Sequence, residues 1–347
     1  MAETSKSPLS VLILSDGRPG HFVLSEGIVA ALGRLRPTTV ARIEVKRPFW
    51  LPARVLSWLV NMRLGAGTIL RFIYGLDPTA LGRPDVIVSA GGNTLAANIA
   101  ATRLTGAPNI FYGSLRRYRA QDFALVMTSY ERDADAPNRL MWLKPSRLDP
   151  DEKAGASTQI NAGGTVPCLG LIIGGDSGTV KYSRDDWDRL IGFVTAMHET
   201  TGQRCIISNA PRTPSDVSDR LSQLAGSANP AVASFIDVRT AGPGTLGALF
   251  EQSSAVLCTA DSSTMLSETV WMRKPVIAIE PEAFGLPDNE MGYRAWLERN
   301  GWARRLKIVE LSPSTVTEAL SEIAPLSENP LDALAAELAR RFPEFAG

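Results

Sequence analysis

The run Asp16-Gly17-Arg18-Pro19-Gly20-His21 places a carboxylate and one of only two histidines within six residues, directly after the apolar stretch Ser10–Ser15. Either group can accept a proton from a hydroxyl nucleophile, and the two glycines permit a tight turn with close ligand approach. The competing structural role is a helix cap at Asp16 with His21 at the helix start. A second turn, Ala90-Gly91-Gly92-Asn93-Thr94, follows the run Val86–Ser89 and exposes backbone N–H groups to a phosphate or an acceptor. A third, Gly174-Gly175-Asp176-Ser177-Gly178, follows Leu169–Ile173 and suits a diphosphate beside a helix N-terminus. The fourth, Thr259–Glu268 (TADSSTMLSE), offers Ser262, Ser263 and Thr264 to a phosphate, with Glu268 about one turn further in. A carboxylate takes two O–H donors, so Glu268 is suited to both hydroxyls of a ribose. Arg212, in the turn Ser208–Pro214, can pair a phosphate, and Glu280 ends the apolar run Pro275–Ile279 where sugar hydroxyls would lie.

These clusters require strands that end at them. Buried parallel strands read as continuous Val/Ile/Leu runs joined by helices, and this chain repeats that pattern twice. The first series comprises 10–15, 86–89, 109–112, 123–128 and 139–143; the second comprises 169–173, 204–208, 233–238, 255–259 and 275–279. Helical periodicity fills 21–35, 93–104 and 184–200. Between them, residues 149–166 are polar and small, a linker or long surface loop. The expected architecture is α/β: an N-terminal Rossmann-like domain over 1–148, the linker over 149–166, and a C-terminal one over 167–347, facing across a cleft. Neither half carries G-x-G-x-x-G in the turn after its first strand, which argues against a nicotinamide dehydrogenase.

At 347 residues, two domains is the default. Basic and acidic residues balance at 36 each, giving no reason to expect a nucleic-acid partner. The balance conceals an asymmetry: 19 of the basic residues but only 10 of the acidic ones precede residue 148, so the front half is suited to something anionic. Three cysteines without a C-x-x-C spacing suggest neither a disulfide framework nor zinc. The opening MAETSKSPLS lacks the features of a signal peptide, and a cytoplasmic location is expected. Lys46–Tyr74 is unlike the rest, with aromatic and basic residues interleaved and no acidic one. Arg47, Trp50, Arg54, Trp58, Arg63 and Arg71 would there dock on an anionic membrane, peripherally on its inner face. The alternative is one or two ordinary helices packing on the sheet with the arginines facing water; Trp50 and Trp58 buried against the sheet would make the segment core.

The runs SDGRPGH, the Arg212-Thr213-Pro214 turn and TADSSTMLSE with its following Lys-Pro-Val strand resemble the elongated-mitochondria family. The likeness runs from about Val11 to about Gly301. That family takes its name from mitochondrial fission in plants, and its bacterial members are regarded as glycosyltransferases of the GT-B fold. By this resemblance His21 is the counterpart of a histidine base on the first glycine loop, and Glu268 of a glutamate holding the donor ribose. The glycine loops depart from the fold relative that glycosylates a lipid-linked peptidoglycan precursor, so sugar and acceptor do not follow from the likeness. The expected function is transfer of a sugar from a nucleoside-diphosphate sugar to a membrane-associated lipid or envelope-glycan acceptor, without metal or other cofactor. His21 and Asp16 would be catalytic, with Gly17, Arg18, Gly91, Gly92 and Asn93 at the acceptor. Gly174, Gly175, Ser177, Arg212, Ser262, Ser263, Thr264 and Glu268 would hold the donor. A nucleotide-sugar epimerase and a non-catalytic membrane-associated scaffold are the alternatives.

Overall fold

A computed structural model describes residues 7–131, 136–152, 167–226, 229–242 and 245–346. Two compact units emerge: Met1–Arg147 with Pro330–Gly347, and Leu148–Asn329. The first holds an all-parallel sheet of β1 (Leu9–Ser15), β2 (Thr38–Glu44), β3 (Val86–Ala90), β4 (Asn109–Tyr112), β5 (Leu125–Thr128) and β6 (Arg139–Met141), in the order β2-β1-β3-β4-β5-β6. The second repeats the plan with β7 (Cys168–Ile173), β8 (Cys205–Asn209), β9 (Val232–Ile236), β10 (Ser253–Thr259), β11 (Val276–Glu280) and β12 (Ala303–Lys307), ordered β12-β11-β10-β7-β8-β9.

Every apolar run expected as a strand is one. The two strands that sequence periodicity missed, β2 (TTVARIE) and β12 (ARRLK), lie at sheet edges. An edge strand is partly solvated and tolerates charge, so it lacks the continuous apolar signal. Central strands are buried throughout, as in VIVSA of β3. Cys205 and Cys258 belong to that interior, where burial pushes both thiols up to about 12.

The domain limits need one correction. The helix Pro330–Arg341 packs with the first unit rather than closing the second. Its buried Leu331, Leu334, Ala335 and Leu338 follow helical spacing, Asp332 pairs with Arg34 at 3.1 Å, and Arg341 donates to the Arg139 carbonyl. Residues 153–166 of the expected linker lie outside the described residues. Its start is held within the second unit, Asn329 donating to Asp149 and Asp151, each at 2.9 Å.

In both sheets the strand order reverses once, between β1 and β3 and between β7 and β10. Connections diverge there, and the loops at the carboxyl ends of those strands line a crevice suited to ligands. All four of the chemistry-bearing clusters sit on those loops.

Candidate functional site

In the first unit the switch point brings together loops about 70 residues apart in sequence. His21, in the first turn of the helix Pro19–Leu35, sets Nδ1 at 3.0 Å from both oxygens of Asp16. Asn93 donates to the same carboxylate at 3.2 Å. A carboxylate only accepts, so Nδ1 carries the ring proton and Nε2 of the neutral ring keeps its lone pair. The Asp16 side chain is 1% exposed and that of His21 31%. Asp16 therefore faces the imidazole rather than an incoming hydroxyl.

Glycine makes this approach possible. A Cβ on Gly91, at φ +85°, would stand 2.1 Å from His21 Nδ1. Gly17 is left-handed as well, at φ +77°, and turns the chain from β1 into the helix. Arg18 is mostly exposed, with Nε 3.9 Å from Asp16. A Cβ on Gly92 would meet the guanidinium of Arg116 at 2.5 Å, so a cation lies beside the His21 loop. Arg116 adopts φ 53°, a left-handed conformation that costs a non-glycine residue roughly 1–2 kcal/mol. Nothing in the local sequence singles it out.

Tyr74 supports the arrangement from behind. Its hydroxyl donates to the Asn93 carbonyl at 3.0 Å, and burial pushes its ionisation above the usual phenol range, keeping the donor protonated. Tyr74→Phe is expected to cost about 0.5–1.5 kcal/mol of stability in urea unfolding.

Trp50 and Trp58 are 63% and 60% exposed, so neither ring is buried against the sheet. Arg54, Arg63 and Arg71 are exposed as well; Arg47 is half-buried and donates to the Leu51 carbonyl. Leu56, Val60, Ile69 and Leu70 form the buried face of this segment.

In the second unit the loops after β7 and β10 meet in the same way. Gly174 N–H donates to Thr259 Oγ1 at 2.6 Å, and a Cβ on Gly174 would stand 2.3 Å from the Asp261 oxygens. Thr213 donates to the carbonyls of Ile173 and Gly174 at 2.8 and 2.7 Å, tying the β8 loop to the glycine turn. Arg212 pairs with Asp261, whose side chain is 0% exposed while that of the arginine is 47% exposed. The other Asp261 oxygen is buried without a hydrogen-bond partner. Arg294, buried on the helix Asp288–Arg299, donates to the Ala260 carbonyl at 2.8 Å and was not foreseen. Its position follows from packing between elements that are far apart in sequence.

The glycine turn departs from expectation. Ser177 bridges to Val180, and the next helix begins only at Arg184, with Ser183 and Asp186 forming a capping box. Its first turn carries Asp185 and Asp186, so that N-terminus is a poor phosphate site. Asp176 turns toward the Tyr182 N–H at 3.0 Å and Lys181 at 3.1 Å. The Tyr182 hydrogen bond, then Lys181, holds its carboxyl below the usual range. The helix Ser263–Trp271 is the better anion end: Ser262 caps it through Met265 N–H, and no acidic residue occupies its first turn. Ser263 and Thr264 lie half-buried at its start, and Glu268 half-buried one turn in. Glu280 is engaged by Arg305 at 3.2 Å; burial pushes its carboxyl up, and the arginine opposes that. A cavity of about 530 Å³ opens nearby, lined by Tyr182, Arg184, Trp187, Pro214, Asp216 and Arg220. None of the expected donor residues lines it.

Two Rossmann-like units, each a doubly wound parallel sheet with its candidate loops at the switch point, define the glycosyltransferase-like GT-B class of fold. MurG of Acinetobacter baumannii matches with a TM-score of 0.52 at 12% identity, over 97% of this chain and 100% of that one. The UDP-GlcNAc 2-epimerase of Methanocaldococcus jannaschii matches at 0.55 with 13% identity, over 97% and 100% of the two chains. The Neisseria meningitidis UDP-GlcNAc 2-epimerase, bound to UDP-GlcNAc, matches at 0.54 with 12% identity and the same coverage. At such identities the likeness is one of fold alone. A family model described as mitochondrial fission ELM1 matches residues 19–342, and the chain belongs to that family. No curated protein matches the sequence.

Proposed function

We propose that the protein is a metal-independent glycosyltransferase, taking its sugar from a nucleoside-diphosphate donor held by the second unit. The observation that carries this reading is the Asp16–His21 pair at the first switch point. Asp16 fixes the tautomer and stabilises the imidazolium that forms, while His21 Nε2 takes the proton of the acceptor hydroxyl. The oxygen attacks the anomeric carbon as the bond from that carbon to the diphosphate oxygen breaks. The N-terminus of the helix Ser263–Trp271 and the half-exposed Arg212 offset the charge of the departing diphosphate. Glu268 accepts from the ribose hydroxyls. Gly17, Arg18, Gly91, Gly92 and Asn93 border the acceptor, and Arg116 beside them favours one carrying an anionic group. The acceptor in this reading is a lipid or envelope glycan at a membrane, met by a cytoplasmic protein that binds the inner face peripherally.

The test is a thermal-shift screen of the full chain against common nucleotide sugars, followed by titration calorimetry. One nucleotide class should raise the melting temperature with concentration. Glu268→Ala should then weaken nucleotide binding by about 1–3 kcal/mol, as for loss of a charged hydrogen-bond partner; unchanged affinity removes Glu268 from the site. The two epimerase neighbours support a second reading, a nucleotide-sugar epimerase. It predicts an inverted sugar still attached to its nucleotide, with no need of an acceptor.

A further inference from the structure

Among the described residues nine large apolar side chains stand exposed, and six of them fall between Phe49 and Phe72. Phe49 is 97% exposed, Phe72 79% and Met62 65%. The helix Ala53–Asn61 explains the arrangement. Leu56 and Val60 face the core, while Val55, Trp58 and Met62, at spacings of three and four, form a stripe on the opposite side. On the following π-helical turn Ile69 and Leu70 are buried and Phe72 points out. Each element thus has two apolar faces, and only one is used by the fold.

We propose that this outer face docks on an anionic lipid bilayer. Tryptophan favours the headgroup boundary, where its apolar body and polar N–H edge are both accommodated, and phenylalanine adds inserted apolar surface. Charge selects the occupant. Arg54 and Arg63 have no carboxylate partner among the described residues, and Arg71 has only Asp77 at 4.0 Å. No acidic residue lies between Lys46 and Tyr74. A second copy of the chain would set these arginines against their own equivalents, whereas an anionic headgroup layer neutralises them. No helix among the described residues is long and apolar enough to cross a membrane, so attachment through this face is interfacial. The segment ends at Tyr74, which holds the Asn93 loop, so the docked surface adjoins the acceptor side of the first unit.

This proposal supplies the partner for the acceptor half of the function above, and its test contains no nucleotide sugar. Failure here leaves glycosyl transfer standing, and failure of donor binding leaves docking standing. Full-length protein is floated with vesicles of phosphatidylglycerol and phosphatidylcholine, and with vesicles of phosphatidylcholine alone. Binding is expected on the mixed vesicles, falling about tenfold or more as ionic strength rises from about 0.05 M to about 0.5 M. The double variant Trp50→Ala, Trp58→Ala should lose about tenfold or more in partitioning with its melting temperature unchanged, since both rings stand outside the core. Arg54→Gln with Arg63→Gln should bring mixed and neutral vesicles closer together. The proposal is overturned by equal binding to both vesicle types, by no binding to either, or by variants that bind like the parent. Vesicle-free sedimentation showing a dimer that the tryptophan variant abolishes would assign the face to a second copy and also overturn it.

Discussion

Replacing His21 by alanine is expected to lower turnover by about 10²–10⁴-fold, the usual cost of removing a general base. Donor affinity should stay unchanged, because the residues proposed to hold the donor belong to the other unit. The reason lies in the Asp16 contact, which commits Nδ1 and leaves Nε2 as the basic nitrogen. Asp16→Asn is expected to cost nearly as much, since an amide can donate to Nδ1 and select the wrong tautomer. The two losses should not add, because both changes disable one unit. Single-turnover rates for the two variants and their combination, alongside nucleotide titrations, check this. A His21→Ala protein retaining near-full rate would remove the imidazole from the mechanism.

Gly175→Ala is expected to disable the donor side. Its Cβ would stand 2.1 Å from the Arg212 carbonyl oxygen and 2.7 Å from the carbonyl carbon. Backbone cannot swing aside as a side-chain tip can, so the β8 loop must shift. That strain should cost about 1–3 kcal/mol of stability, and each kcal/mol lowers the melting temperature by about 2–4 °C for a domain of this size. The shift also displaces Arg212 from Asp261 and Thr213 from the glycine turn, and nucleotide affinity should fall by about tenfold or more. Gly192→Ala is the control: its Cβ meets nothing within 4 Å on the helix Arg184–Thr201, and the helix should gain about 0.5–1 kcal/mol. If Gly175→Ala melts and binds like the parent, the loop geometry described for the second unit is wrong.

What the sequence revealed, and what it withheld, follows from the range of each interaction. Central strands such as SVLILS and VIVSA are buried on both faces, so their composition alone marks them. The β12 strand ARRLK is edge-exposed on one side and carries no such mark. Asp16 and His21 were conspicuous because a turn and a rare residue type coincide. Their mutual contact, however, depends on Gly91, which reaches them only through the strand order. Arg116 and Arg294 owe their positions to packing between distant elements. The amphipathic pattern of Pro330–Arg341 says that one face is buried but not against which sheet. The helix expected over 184–200 begins at Arg184 as its periodicity indicates, with Ser183 and Asp186 capping it.

The most direct measurement of glycosyl transfer is the release of free nucleoside diphosphate from the nucleotide sugar selected by thermal shift. It is followed by chromatography with and without a detergent-solubilised membrane lipid extract. The expected result is release that depends on the extract, persists in chelator, and disappears in His21→Ala while that variant still binds the nucleotide. Appearance of an epimerised nucleotide sugar without any release, whether or not the extract is present, would contradict it.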